Sequence, residues 1–183
     1  MNGPAAGTMR LFFALWPGDA CRAALARAAA PAVLAIDGMP VPPRNFHVTL
    51  AFLGAVAGRD FPGLVELGGQ DAWPGVRLDF GRVEYWPKPR VAAAVTDVVP
   101  AEAESFVDRL WGSLERLGFE REARPWRPHL TLVRKVRRPP PENLPLFPVE
   151  WPSGEAAWRL ALVESSSHPE GVRYKPLADW VAS

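Results

Sequence analysis

The chain of 183 residues has one cysteine, Cys21, and only three histidines. A single thiol excludes an internal disulfide, a CxxC redox pair and a cysteine-rich zinc site. No run approaches the ~18 consecutive apolar residues of a membrane span. Residues 1–8 lack the charged and apolar stretches of a secretory signal and read as a flexible tail. Neither sign of charge dominates: 21 cations face 20 anions, so the field of the whole molecule promises neither DNA nor membrane binding. There is no GxGxxG or GxxxxGK[ST], which removes the key signal for dinucleotide and P-loop sites. There is also no GxSxG, and Cys21 has no neighbouring histidine, so covalent catalysis is disfavoured. The expectation is a cytoplasmic protein without membrane association, monomeric by default, with one domain over residues 9–183.

A chain of this length buries roughly 70% of its unfolded surface and needs no metal or disulfide staple. Proline (21) and glycine (15) are frequent, yet below the ~25–30% at which low complexity is the better reading. Many short elements separated by turns are expected. Met9–Trp16 is a strand ending at Pro17-Gly18, and Asp19 is placed to cap a helix over 20–30 that Pro31 stops. Phe46–Leu53 is a strand stopped by Gly54, and 61–67 a short helix. Strands follow over 76–85 and 91–96. Phe106, Leu110, Leu114 and Leu117 then form one apolar stripe on a helix over 101–117 that Gly118 ends. His129–Val133 and Trp158–Ser165 are further strands, and 173–180 closes the chain. Consecutive strands mixed with helices favour α+β with antiparallel sheet over a doubly wound parallel sheet.

Two of the three histidines stand in the same local pattern: Phe46-His47-Val48-Thr49-Leu50 and Pro128-His129-Leu130-Thr131-Leu132. On a strand, alternate side chains share a face. His47 and Thr49 therefore oppose Val48, Leu50 and Phe52, and His129 and Thr131 oppose Leu130 and Leu132. A lone strand histidine is ordinarily a satisfied polar residue. Two copies of His-x-Thr, each backed by an apolar face, argue for shared chemistry. Two imidazoles supply only half of a zinc shell, and no HExxH or nearby cysteine completes one, so no metal or other cofactor is expected. With unperturbed pKa values near ~6.5, one ring can accept a proton while the other donates one. Phosphoryl chemistry also needs support for its non-bridging oxygens. Thr49 and Thr131 offer hydroxyls, and six cations between 124 and 138 (Arg124, Arg127, Arg134, Lys135, Arg137, Arg138) bracket His129 with no acid among them. A solvated basic loop is the alternative reading of that cluster.

These motifs resemble the 2H phosphoesterase superfamily, specifically its LigT-like branch of RNA 2′,3′-cyclic phosphodiesterases, also called 2′-5′ RNA ligases. The likeness spans nearly the whole chain. Residues 10–15 (RLFFAL) resemble the opening strand, 45–54 (NFHVTLAFLG) the first motif, 127–134 (RPHLTLVR) the second, and 162–166 with 174–177 the closing strands. The resemblance implies a bilobal α+β fold of two antiparallel sheets with pseudo-two-fold symmetry, helices on the outer faces and the two HxT strands in a central cleft. It implies hydrolysis of a terminal RNA 2′,3′-cyclic phosphate to a 2′-phosphate, without metal or nucleotide cofactor, on RNA 3′ ends or oligonucleotides. Reversible ATP-independent 2′-5′ ligation is a further activity the resemblance implies.

On this reading His129 activates water and His47 protonates the departing 3′ oxygen, a direction the sequence leaves open. Thr49 and Thr131 hydrogen-bond the non-bridging oxygens and Arg134 offsets their charge. Strand parity aims Arg134 away from His129, so it must sit at a bulge or past the strand end. Trp126 is the candidate for stacking on a terminal base, with core packing as its alternative. Phe46 and Phe52 are expected in the core, and His168 in a surface turn. Two other functions stay open: a 2′,5′-phosphodiesterase using the same histidines, and a non-catalytic RNA- or nucleotide-binding module.

Overall fold

The computed structural model describes residues 7–142, 144, 147–152, 158–168 and 171–181. In chain order these form β1 (Thr8–Pro17), α1 (Asp19–Ala35), β2 (Met39–Pro40), β3 (Val48–Ala57), α2 (Phe61–Gln70), β4 (Phe80–Trp86), β5 (Val91–Thr96), α3 (Ala101–Arg116), β6 (His129–Arg134), β7 (Trp158–His168) and β8 (Gly171–Trp180). The fold is α+β. One antiparallel sheet runs β3-β1-β7-β8 and the other β2-β6-β5-β4.

The apolar run of β1 is explained by its place inside its sheet, where both faces are covered. Leu11, Phe13 and Leu15 enter the main core; Phe12, Ala14 and Trp16 join Ala161 and Val163 in a second cluster on the opposite face. The main core is continuous across both sheets and all three helices. α3 follows its stripe, with Phe106, Leu110 and Leu114 buried, although Leu117 is 50% exposed because the helix has already ended. Gly118 ends it at φ +89, its N–H bonding Glu115 while that of Phe119 bonds Leu114. That pair of bonds is a Schellman closure.

Several boundaries differ from the sequence expectation. Residues 1–6 of the expected tail lie outside the described residues. Gly7 and Thr8 are tied down: the Gly7 carbonyl accepts from Gly58 N–H at 3.0 Å, and Thr8 pairs with Ala57. Asp19 does not cap α1; Gly18 holds that position, and Asp19 instead pairs with Arg22. Residues 76–79 precede β4 rather than belonging to it, and Ser166–His168 continue β7 instead of turning. His168 is exposed, while Pro169 and Glu170 of that expected turn lie outside the described residues.

Pro31 does not stop α1 but lies within it, because Ala32 and Ile36 beyond it are buried in the main core. Tertiary packing carries the helix past a residue that deprives it of a hydrogen bond. Pro31→Ala is therefore expected to stabilise the fold by about 2 kcal/mol, the helix gain exceeding the added unfolded-state entropy. A higher urea midpoint at unchanged slope would register it.

β3 runs through Gly54, where the sequence suggested a stop. It passes with φ +70 and a register shift that leaves Leu53 unpaired between the Leu11–Gly54 and Phe12–Phe52 pairs. Glycine tolerates that conformation, and the bulge keeps the strand paired to Ala57.

Candidate active site

The two His-x-Thr segments share more than sequence. In β3, Ala14 pairs with Thr49 and Phe13 with Ala51, so Leu50 is an extra residue. In β6, Ala93 pairs with Thr131 and Ala92 with Val133, so Leu132 is extra in the same way. Each bulge follows the threonine immediately and reverses the parity of the residues next after it. Leu132 and Val133 are both buried, and Arg134 returns to the face of His129 and Thr131. The bulge anticipated for Arg134 is thus present. Its counterpart in β3 overturns an expectation: Phe52 is not core but 37% exposed, on the face of Thr49. Phe46 is buried as expected.

Both rings are anchored alike. The Nδ1–H of His47 donates to the Asn45 carbonyl at 2.7 Å, and that of His129 to the Arg127 carbonyl at 2.9 Å. A carbonyl can only accept, so Nδ1 carries the proton in each and Nε2 is left as the basic nitrogen. Trp16 stacks on His47 (5.7 Å, 11°), Phe12 tilts against it at 5.1 Å, and Tyr174 meets it edge-on at 4.9 Å. Trp86 packs edge-on against His129 at 4.8 Å. Burial pushes the His47 pKa down to about 4, against the pull of its backbone hydrogen bond, and the charges of Arg134 and His129 push the same way. Burial likewise lowers His129, opposed by its backbone bond and reinforced by Arg134, Arg127 and Arg124. Both shifts favour the neutral form of the ring.

A cleft of about 750 Å³ is lined by His47, Thr49 and Arg134 together with Phe12, Tyr174 and the Ser165–Ser167 stretch of β7. Arg134 Nη2 donates to the Tyr174 hydroxyl at 3.4 Å. His129 and Thr131 do not line this cleft. They share the Arg134 face of β6, near enough for His129 and Arg134 both to act electrostatically on His47. Trp126, ahead of β6, packs against the main core, and its indole N–H donates to the Thr49 carbonyl at 2.9 Å. It ties the two motif segments together.

The basic cluster is less available than its sequence suggests. Arg127 bonds both Glu84 oxygens at 2.7 Å, Arg124 pairs with Glu122 and Arg137 with Asp37. Glu84 also accepts from Trp86 and Arg82. Burial works against its charge, but those hydrogen bonds outweigh it and hold its carboxyl below the usual range. Glu84 thereby fixes both the ring beside His129 and the residue whose carbonyl anchors it. Sequence reasoning missed Glu84, Trp16, Phe12 and Tyr174 as parts of the site. Of these Phe12 and Tyr174 stood in quoted segments, without a role. Among the described residues, no group of three or more His, Cys, Asp or Glu is arranged to hold a metal ion, and no helix is long and apolar enough to cross a membrane.

Two antiparallel sheets that bring a pair of matched histidine segments to one arginine define a phosphoesterase of the two-histidine class. The family model described as LigT-like phosphoesterase matches residues 17–96. An RNA 2′,3′-cyclic phosphodiesterase of Thermus thermophilus is 34% identical over 92% of this chain and 88% of its own. One from Escherichia coli is 30% identical over 78% and 79%. Crystal structures of E. coli LigT, apo and complexed with 3′-AMP, superpose with TM-scores of 0.79 and 0.78 at 29% and 28% identity. Each covers 96% of this chain, and 98% and 99% of LigT. The chain belongs to the LigT-like phosphoesterase family.

Proposed function

We propose that the protein is an RNA 2′,3′-cyclic phosphodiesterase that opens a terminal cyclic phosphate to a 2′-phosphate by metal-free acid/base catalysis. The observation that carries this reading is the matched pair of imidazoles. Each is locked at Nδ1 to its own chain two residues back, and both feel the charge of Arg134. Relatives with this activity over most of the chain's length, and a neighbour solved with 3′-AMP, support it.

In this mechanism the cyclic phosphate monoanion lies against Arg134, with the Thr49 and Thr131 hydroxyls on its non-bridging oxygens. The anion offsets the cationic field that lowers both rings, so binding draws in a proton. His129 Nε2 takes a proton from water as it attacks phosphorus, the P–O3′ bond breaks, and His47 gives its proton to O3′. ATP-independent 2′-5′ ligation is the same step with an RNA 5′-hydroxyl in place of water: it attacks phosphorus, the P–O3′ bond breaks and O3′ takes the proton. The domain over residues 9–183 acts as a cytoplasmic monomer on RNA 3′ ends.

Trp126 offers the terminal base a stacking face in this reading. Trp126→Phe keeps a ring but loses the bond to Thr49; it is expected to cost about 1 kcal/mol of stability with little change in KM. Trp126→Leu is expected to raise KM, and urea unfolding with steady-state kinetics separates the two effects. The test of the function itself is incubation, in EDTA, with an oligoribonucleotide ending in a 2′,3′-cyclic phosphate. Formation of a 2′-monophosphate supports the reading. An unchanged cyclic end overturns it and favours 2′-5′ linkages or plain binding.

A further inference from the structure

The cations that bracket His129 in the sequence divide into two sets in the structure. Arg124, Arg127 and Arg137 are paired with Glu122, Glu84 and Asp37. Arg134 faces the cleft and bonds the Tyr174 hydroxyl. Lys135 and Arg138 are exposed and form no ion pair among the described residues. The unneutralised charges therefore lie on the segment that leaves the site just after Arg134.

A second segment leaves the site beside it. Trp86 packs against His129 and opens the β4–β5 turn, which the bond from Arg90 N–H to the Pro87 carbonyl closes at 3.2 Å. Reciprocal bonds hold the two segments together. Val136 N–H donates to the Arg90 carbonyl at 3.0 Å, and Arg90 Nε donates to the Val136 carbonyl at 2.8 Å. Lys88 and Arg90 of the turn thus join Lys135 and Arg138 on one rim of the site. They too are exposed, with no ion pair among the described residues. The far end of the cleft is balanced in charge, because Glu164 lines it together with Arg10.

The formal net charge of the whole chain is only +1, so this rim concentrates positive potential that the molecule as a whole lacks. Exposed lysines and arginines hold phosphates without reading bases, and a positive groove is the usual means of following a single strand.

We propose that Lys88, Arg90, Lys135 and Arg138 form a sequence-independent track for the phosphates of the single-stranded RNA that precedes the cyclic end. The proposal rests on the phosphodiesterase reading above, because the two histidines and Arg134 fix where the cyclic phosphate lies. The RNA backbone follows the rim away from Arg134 and sheds counterions as the cations neutralise it. Longer strands are thereby favoured over a cyclic mononucleotide, most of all at low salt.

The test measures kcat/KM against monovalent salt for a cyclic mononucleotide and for an octanucleotide with the same cyclic end. The proteins are the wild type, Lys88→Gln, Lys135→Gln, Arg138→Gln and the triple variant. Arg90 is left in place because its bond to Val136 joins the two segments. Each phosphate contact on a single strand adds about −0.7 to the slope of log kcat/KM against log salt. With about three contacts, raising salt from about 50 to about 200 mM lowers the wild-type octanucleotide value roughly 20-fold relative to the mononucleotide. Each single variant is expected to flatten that slope by about 0.7, and the triple variant to bring the two substrates together. Lys135→Arg keeps the charge and is expected to keep the slope. Mononucleotide hydrolysis near the wild-type rate certifies the fold and the catalytic site of every variant. Equal wild-type slopes for the two substrates, unchanged slopes in the variants, or parallel loss of both activities overturn the track alone. Hydrolysis of neither substrate by the wild type overturns the phosphodiesterase reading and the track with it.

Discussion

His47→Ala and His129→Ala are each expected to cut kcat on a 2′,3′-cyclic phosphate by about 10²–10⁴-fold, the usual worth of a positioned general acid or base. The double variant should be little worse than either single one, because the two rings serve one transition state and their losses do not add. Replacing the 3′ oxygen of the substrate by sulfur separates the roles. A thiolate leaves without a proton, so the variant lacking the acid is rescued and the one lacking the base is not. Rescue is expected for His47→Ala. Rescue of His129→Ala instead would exchange the two roles, and retention of full activity in either variant would remove the two-histidine mechanism. Each variant also deletes a ring from a packed aromatic setting, most of all His47 among Trp16, Phe12 and Tyr174. A urea midpoint for each distinguishes lost chemistry from lost fold.

The chemistry of this site was legible in the sequence because it rests on local repetition. His47-x-Thr49 and His129-x-Thr131 each occupy one strand segment, and alternation alone puts each hydroxyl beside its ring. The order of elements was also legible, since the apolar stripe of α3 and the runs of β1, β5 and β7 are set by short-range patterning. What alternation could not supply is the extra residue after each threonine. The signal was present as two adjacent apolar residues, Leu50-Ala51 and Leu132-Val133, where a half-buried strand should alternate. That doublet turns Arg134 inward and Phe52 outward. Pro31 was misjudged for another reason: its effect on a helix is local, but the burial of Ala32 and Ile36 that outweighs it is tertiary. The setting of each ring was hidden too, because Tyr174 lies far along the chain from His47, and Glu84 and Trp86 come from a different strand than His129.

Arg134→Met is expected to lower kcat/KM by about 10²–10³-fold, in line with the loss of one electrostatic contact to a developing phosphoryl charge. Its second effect has a defined sign. The guanidinium lowers the pKa of both His47 and His129, so its removal raises both. Turnover requires one ring neutral and the other protonated, so kcat/KM peaks between the two free-enzyme values. In the wild type that window lies on the acid side, from about 4 at His47 to the lowered His129 value. Activity therefore falls as pH rises towards neutrality, where both rings lose their protons. In Arg134→Met the descending limb should move to higher pH, even as the maximum drops. An arginine that merely held Tyr174 in place through the 3.4 Å hydrogen bond would lower the rate without moving the limb. Tyr174→Phe supplies that control, because it removes the hydroxyl and leaves the charge. A pH profile of kcat/KM for the three proteins decides the matter: a shift in Arg134→Met alone assigns the arginine to the charge balance of the two imidazoles, and coincident limbs in all three exclude it.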